Sequence, residues 1–311
     1  MVNMELFTFL SADGVTTLHG VEWRDDAQAP VAVLQIAHGM AEYIRRYDGF
    51  ARFLAQHGFV VAGHDHLGHG ESLPRGGTPV YFSPTQGWER AVEDIYSLHR
   101  RLKERYPHLP CYLLGHSMGS FLSRTFLIQH SGCVDGAIVM GTGWQNTPKL
   151  QAGLTVSGLL CRIRGGRVTS KLMTAQTYGA YNRAVAPNRT AFDWIAANEA
   201  AVDRYIADPM CGHPPSVGLL HDLLRGIRFN QQAENLRRMT PHTPVLFISG
   251  ADDPVGDMGR GVEKSAASFR NAGMEDVTVL LCPGLRHEVL NESTAPEAVN
   301  LPILRWLEAH L

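Results

Sequence analysis

The sequence predicts an α/β fold, a mostly parallel, doubly wound sheet with an antiparallel N-terminal hairpin and a helical insertion. Three observations predict it. Short, nearly all-apolar runs such as PVAVLQIA (30–37), FVVAG (59–63) and CYLLG (111–115) read as strands buried on both faces. Amphipathic stretches between them supply the crossover helices that parallel strands require. The alternation stops near Thr142 and resumes near Thr243, with mainly helical sequence in between.

Taken in order, ELFTFL (5–10), SADG and TTLHGVEW (16–23) read as a hairpin whose turn carries Asp13 and Gly14. PVAVLQIA follows as the third strand. YDGFARFLAQHG (47–58) is a helix with Phe50, Phe53 and Leu54 on one face and Gly58 as its stop. FVVAG is the fourth strand, and residues 88–106 form a long amphipathic helix. CYLLG, a helix over 120–130 and the strand GAIVMG (136–141) complete the first half. Beyond the insertion come PVLFIS (244–249), a helix over 259–272, VTVLLC (277–282) and a closing helix from Pro296. The expected division is a core of residues 1–141 and 243–311, interrupted by a helical cap over 142–242.

With 311 residues, 44% of them hydrophobic and 19% charged, the chain can bury a sizeable core. A formal net charge of −2 provides no basic field, which argues against nucleic acid as a partner. Arg162, Arg164 and Arg167 read as a solvated face. Five scattered cysteines without a CxxC pair point to neither a zinc ribbon, a redox motif nor a disulfide framework. The first residues lack signal-peptide features, and no apolar run approaches the roughly 20 residues that span a bilayer. A cytoplasmic location is the expectation.

The chemistry is concentrated in CYLLGHSMGSFLSR. Gly115-His116-Ser117-Met118-Gly119 lies between a buried strand and a helix, the context a GxSxG nucleophile elbow requires. A serine must project from a sharp turn there, and bulk two residues to either side would strike neighbouring backbone. The helix that follows aims its free N–H groups at the developing oxyanion. A serine alcohol also needs a base, and the base an orienting acid, in the order Ser, Asp or Glu, His. Asp253 follows the strand PVLFIS, and His287 lies between the last strand and the last helix. Both leave carboxyl ends of parallel strands, the edge where such sheets build their sites. Asp252 is the rival acid, with Asp257 and Glu288 as lesser ones; adjacent side chains leaving a strand diverge, which favours Asp253. The backbone N–H groups of Met118, after the nucleophile, and Met40, after the third strand and the small Gly39, are the expected oxyanion hole.

GHDHLGHGES (63–72) raises a second possibility, since His64, Asp65, His66 and His69 are potential metal ligands. A loop this short would need ligands from elsewhere in the chain.

Through HGMAEYIRRY (38–47), HDHLGHGES, LLGHSMGS, IADPMCG, ISGADDPVG and GLRHEVLNE, the chain resembles the monoacylglycerol lipase and lysophospholipase branch of the α/β-hydrolase superfamily. These segments run from residue 38 to 292, nearly the whole chain. The resemblance implies an α/β-hydrolase fold and an acyl-enzyme mechanism with Ser117, Asp253 and His287. It also implies an oxyanion hole at Met40 and Met118 and a helical cap over the site. The family's D-x-R-G-x-G-x-S pattern reads here with Leu67 in the arginine position, which makes GHDHLGHGES a structural turn. No metal and no cofactor are expected. The expected partner is a small, lipid-like ester such as a monoacylglycerol or lysophospholipid, with transient membrane-surface contact through the apolar cap. Oligomeric state is left open. Alternatives are a short-chain carboxylesterase, an amidase, thioesterase or perhydrolase on the same residues, and a non-catalytic binding protein on the same fold.

Overall fold

The computed structural model describes residues 1–292 and 295–311. Its hairpin consists of β1 (Val2–Leu10) and β2 (Thr17–Asp25). Asp13 closes the turn by accepting the N–H groups of Val15 and Thr16 on one carboxylate oxygen. The rest of the first half is β3 (Ala32–Ala37), α1 (Asp48–Gln56), β4 (Phe59–His64), α2 (Gly87–Arg105), β5 (Cys111–His116), α3 (Met118–Gln129) and β6 (Gly136–Met140). Five helices follow among the described residues: α4 (Thr147–Arg164), α5 (Lys171–Ala184), α6 (Glu199–Ala207), α7 (Val217–Asn230) and α8 (Ala233–Leu236). The chain ends with β7 (Val245–Gly250), α9 (Arg260–Asn271), β8 (Val277–Cys282), α10 (Val289–Glu292) and α11 (Glu297–Glu308).

The strands form one sheet in the order β1-β2-β4-β3-β5-β6-β7-β8. β2 joins β4 antiparallel, and from β4 to β8 every pairing is parallel. The predicted doubly wound sheet with its N-terminal hairpin is the observed architecture. A period of two divides the strand residues between two layers. Leu113, Ala137, Val139 and Phe247 pack with α2, α3 and α9, whereas Tyr112, Leu114, Ile138 and Ile248 pack with α1 and α11. α1 has the periodicity for this, burying Phe50, Ala51 and Leu54.

β3 has β4 on one side and β5 on the other, so the chain reverses its winding at β3. Loops after β3 and β5 therefore diverge and open a crevice at the carboxyl end of the sheet. The helices after β6 approach that end. α7 is shared with the main core, packing on α2 and α3 through Leu219 and Ile227, and α4 packs on α7. Among the described residues no helix is long and apolar enough to cross a membrane.

Candidate active site

Ser117 stands at the turn between β5 and α3 with φ 53° and ψ −119°, a conformation non-glycine residues rarely adopt. The two flanking glycines make the turn possible. A Cβ on Gly115 would lie 2.3 Å from the carbonyl oxygen of Gly119, and one on Gly119 would lie 2.0 Å from that of Ala37. Any side chain at either position would push α3 off the sheet.

Three loops meet at this serine. His287, beyond β8, has Nε2 2.8 Å from Ser117 Oγ. Its Nδ1 lies 2.9 Å from Asp253 Oδ2, from the loop after β7. Asp253 is fully buried and also accepts the Ser249 hydroxyl at 2.9 Å and the Val255 N–H at 2.8 Å. Burial alone would raise its pKa; His287 and these donors outweigh it and hold the carboxyl below its ordinary value. Asp252 is exposed, and Asp257 is exposed and paired with Arg260. Glu288 is buried in an ion pair with Arg46 and does not face the histidine ring.

The loop after β3 brings Gly39 against Ser117, where a Cβ would lie 3.1 Å from Ser117 Cβ. Among the described residues the N–H groups of Met40 and Met118 have no protein acceptor. The turn is anchored from the segment between β6 and β7, since Ala41 O accepts Tyr205 Oη–H and Gly212 N–H, both at 3.0 Å. Segment 193–198 is bound to the His287 loop as well: Glu288 N–H donates to Ile195 O, Arg286 donates to Asp193 O, and Glu292 accepts Ala197 N–H. The Trp194 ring centroid lies 5.1 Å from that of His287. An alcohol nucleophile, a base, an orienting carboxylate and two free N–H groups can together carry out acyl transfer.

Sequence reasoning missed a buried polar group behind this site. Glu42 Oε1 accepts Gly39 N–H at 2.6 Å and Tyr47 Oη–H at 2.8 Å, and lies 3.0 Å from His116 Nδ1. Arg46 links Glu42 Oε2, at 2.8 Å, to both oxygens of Glu288. The only sequence signal was the clustering of Glu42, Arg46 and Tyr47 within HGMAEYIRRY.

The histidines of GHDHLGHGES are buried against one another and against neighbouring side chains. Among the described residues no group of three or more His, Cys, Asp or Glu is arranged to hold an ion. Asp65 accepts the N–H groups of Ile44 and Glu71, both at 2.8 Å, tying this loop to the loop after β3. Leu67 is buried in the main core. His66 and His69 pack with His38, and His64 with His66, with neighbouring ring centroids 4.3–6.5 Å apart. Burial pushes the imidazoles of His38 and His64 down to about 3 and that of His69 to about 4, with His66 also well below its ordinary value.

A family model described as serine aminopeptidase, S33, matches residues 28–294. The monoacylglycerol lipase of Mycolicibacterium smegmatis is 27% identical over 307 residues, covering 98% of this chain and 97% of that protein. The human monoglyceride lipase is 26% identical over 274 residues, 87% of this chain and 79% of that one. The crystal structure of a highly thermostable carboxyl esterase from Bacillus coagulans, in complex with glycerol, superposes with a TM-score of 0.91 at 26% identity over 98% of both chains.

Proposed function

Because the chain belongs to the serine aminopeptidase S33 family and is a serine hydrolase of the α/β-hydrolase fold, we propose that it hydrolyses single-chain carboxylic esters, monoacylglycerols or lysophospholipids, through an acyl-enzyme. Ser117 is the nucleophile, His287 the base, Asp253 the orienting acid, and Met40 and Met118 N–H the oxyanion hole. The observation that supports this most directly is the unbroken path from Ser117 Oγ through both nitrogens of His287 to the buried Asp253.

His287 takes the Ser117 proton as Oγ attacks the ester carbonyl, and the two N–H groups stabilise the oxyanion. The imidazolium returns the proton to the leaving alcohol. Water, activated by the same base, then releases the acid. No cofactor enters these steps.

Residues 142–242 act in this reading as a cap on a core of 1–141 and 243–311. Met40 supports it, since its side chain packs against the main core and against two apolar clusters of the insertion. One of these, Met173, Val217 and Leu220 with Leu160 and Val168, is the proposed acyl wall. The partner is extended to an anionic lipid surface by charge. Residues 136–192 contain seven Lys or Arg and no Asp or Glu, leaving 21 cations against 30 acids in the rest of the chain. α4 also exposes Val156, Leu159 and Ile163 on one face, beside the exposed Arg162, Arg164 and Arg167.

The test is kcat/KM for C2–C16 monoesters below their micelle thresholds, with a triacylglycerol and an aminoacyl amide in the panel. Each methylene buried on an acyl wall is worth about 0.8 kcal/mol, close to fourfold in kcat/KM. Expected are a rise from acetyl to at least octanoyl, weak triacylglycerol turnover, and fluorophosphonate labelling of Ser117 that Ser117→Ala abolishes. A monotonic decline from C2 would select the short-chain carboxylesterase alternative instead.

A further inference from the structure

We propose that His116, the residue before the nucleophile, is held as an imidazolium, and that Glu42, its counter-ion, is a positioning residue that fixes the oxyanion loop against Ser117. The inference rests on the roles given above to Ser117 and Met40.

Both ring nitrogens of His116 face acceptors. Nε2 lies 3.2 Å from the backbone carbonyl oxygen of His287, which has no proton to give. Nδ1 lies 3.0 Å from Glu42 Oε1 and 2.9 Å from Tyr47 Oη. Tyr47 Oη lies 2.8 Å from the same Glu42 oxygen, and a hydroxyl that donates to this carboxylate, the stronger acceptor, presents a lone pair to the ring. A neutral His116 would leave one ring lone pair opposed to a carbonyl or to a carboxylate. In a site only 4% exposed, water cannot relieve that opposition. The doubly protonated ring satisfies every contact.

The charges facing the ring agree with this form. Glu42 approaches from the loop after β3 and Glu288 from the loop after β8. Arg46, among the described residues the one cation between them, is bound to both carboxylates. With His116 charged, two anions balance two cations within a buried group, and without it one carboxylate is uncompensated. Burial acts against the charge, but Glu42, Glu288 and the His287 carbonyl outweigh it and raise the pKa of His116 above its ordinary value.

The consequence is mechanical. One Glu42 oxygen holds the N–H of Gly39, next to the donor Met40, and also the ring that holds the main chain of His287. The loop carrying the oxyanion donor and the loop carrying the base thus share one anchor, behind the serine and out of reach of substrate. This arrangement acts on the transition state, because oxyanion donors must lie within a few tenths of an ångström of their position.

Two measurements on the full chain test it. Side-chain ¹⁵N NMR, with the His116 signals assigned from a His116→Asn variant, is expected to show both His116 nitrogens protonated at pH 7.5. One bare nitrogen would overturn the proposal. In Glu42→Gln the ring is expected to lose a proton. The kcat for a soluble ester should fall about 10- to 100-fold with KM changed less than about threefold. Affinity for butylboronic acid, which forms a tetrahedral adduct on a serine oxygen, should fall by the same factor as kcat. A folded Glu42→Gln protein with unchanged kcat, or a loss carried by KM alone, would overturn the positioning role. Should Glu42→Gln fail to fold, the NMR result on the unaltered protein still decides the charge. Failure of the unaltered protein to react with a fluorophosphonate would instead sink the nucleophile assignment, and the two failures are thereby distinct.

Discussion

Asp252 and Asp253 are neighbours in sequence and occupy opposite environments, one in solvent and the other buried on three donors. Asp253→Asn is expected to lower kcat about 10⁴-fold, because His287 loses its orienting partner and correct tautomer. Asp252→Asn should cost less than about tenfold. Steady-state kinetics on both variants checks this, and reversed losses would mean the orienting acid has been misread by one residue. This distinction was legible beforehand, since neighbouring side chains leaving a strand must diverge. The Glu42–His116 pair was not. In HGMAEYIRRY the exposed Arg45 and the largely covered Arg46 are indistinguishable, because a charge is taken out of solvent through partners such as Glu288, 242 positions away.

At the scale of the element, GHDHLGHGES carries a cost that depends on pH. The unfolded chain protonates these imidazoles below about pH 6.5, whereas the folded chain keeps His38, His64 and His69 neutral to about pH 3–4. A folded pKa below the unfolded one means that the unfolded state binds more protons, so stability is lost as pH falls from 6.5 toward those values. Each such histidine contributes a slope of about 1.4 kcal/mol per pH unit across that window. Replacing His64 with Phe, beside Phe9, should remove one slope and recover about 2 kcal/mol at pH 5 relative to pH 7.5. Urea unfolding of both proteins at the two pH values measures it; parallel losses would show that His64 is not held neutral. The loop's turn character was readable from its glycines and Asp65. Its histidines were ambiguous because imidazole serves as ligand, acid or core filler, and only the surrounding Phe9, Phe82 and Leu67 decide among these.

Across the whole molecule, the mostly parallel, doubly wound sheet and its N-terminal hairpin were accessible from buried runs and crossover helices, whereas the strand order, which depends on contacts between distant segments, was not. The direction of the α4 face was not, since apolar residues at helical spacing normally signal burial, yet Leu159 is 56% and Ile163 70% exposed. If that face meets an anionic bilayer, the protein should sediment with phosphatidylglycerol-containing vesicles and not with phosphatidylcholine alone. Raising salt to 0.5 M should release it. Replacing Arg162, Arg164 and Arg167 with Gln should weaken binding on the order of 100-fold, at about 1 kcal/mol per cation. Equal sedimentation with neutral vesicles would discard the electrostatic part of the proposal.

The insertion is fastened unevenly, and this constrains how the family can diversify. Segment 193–198 and α6 share hydrogen bonds with the His287 loop and with Ala41, so a change there reaches the proposed base and the proposed oxyanion turn directly. α4 and α5 have no such bonds to either loop among the described residues. Drift, recombination or laboratory grafting has its freest ground on the exposed face of α4, away from Leu160 and Met173, which share an apolar cluster with Met40, and from Asn182, which holds the Trp194 N–H. Chimaeras that retain residues 193–212 with the host's own His287 loop keep an inherited joint intact, and those that cut through it must rebuild both sides at once.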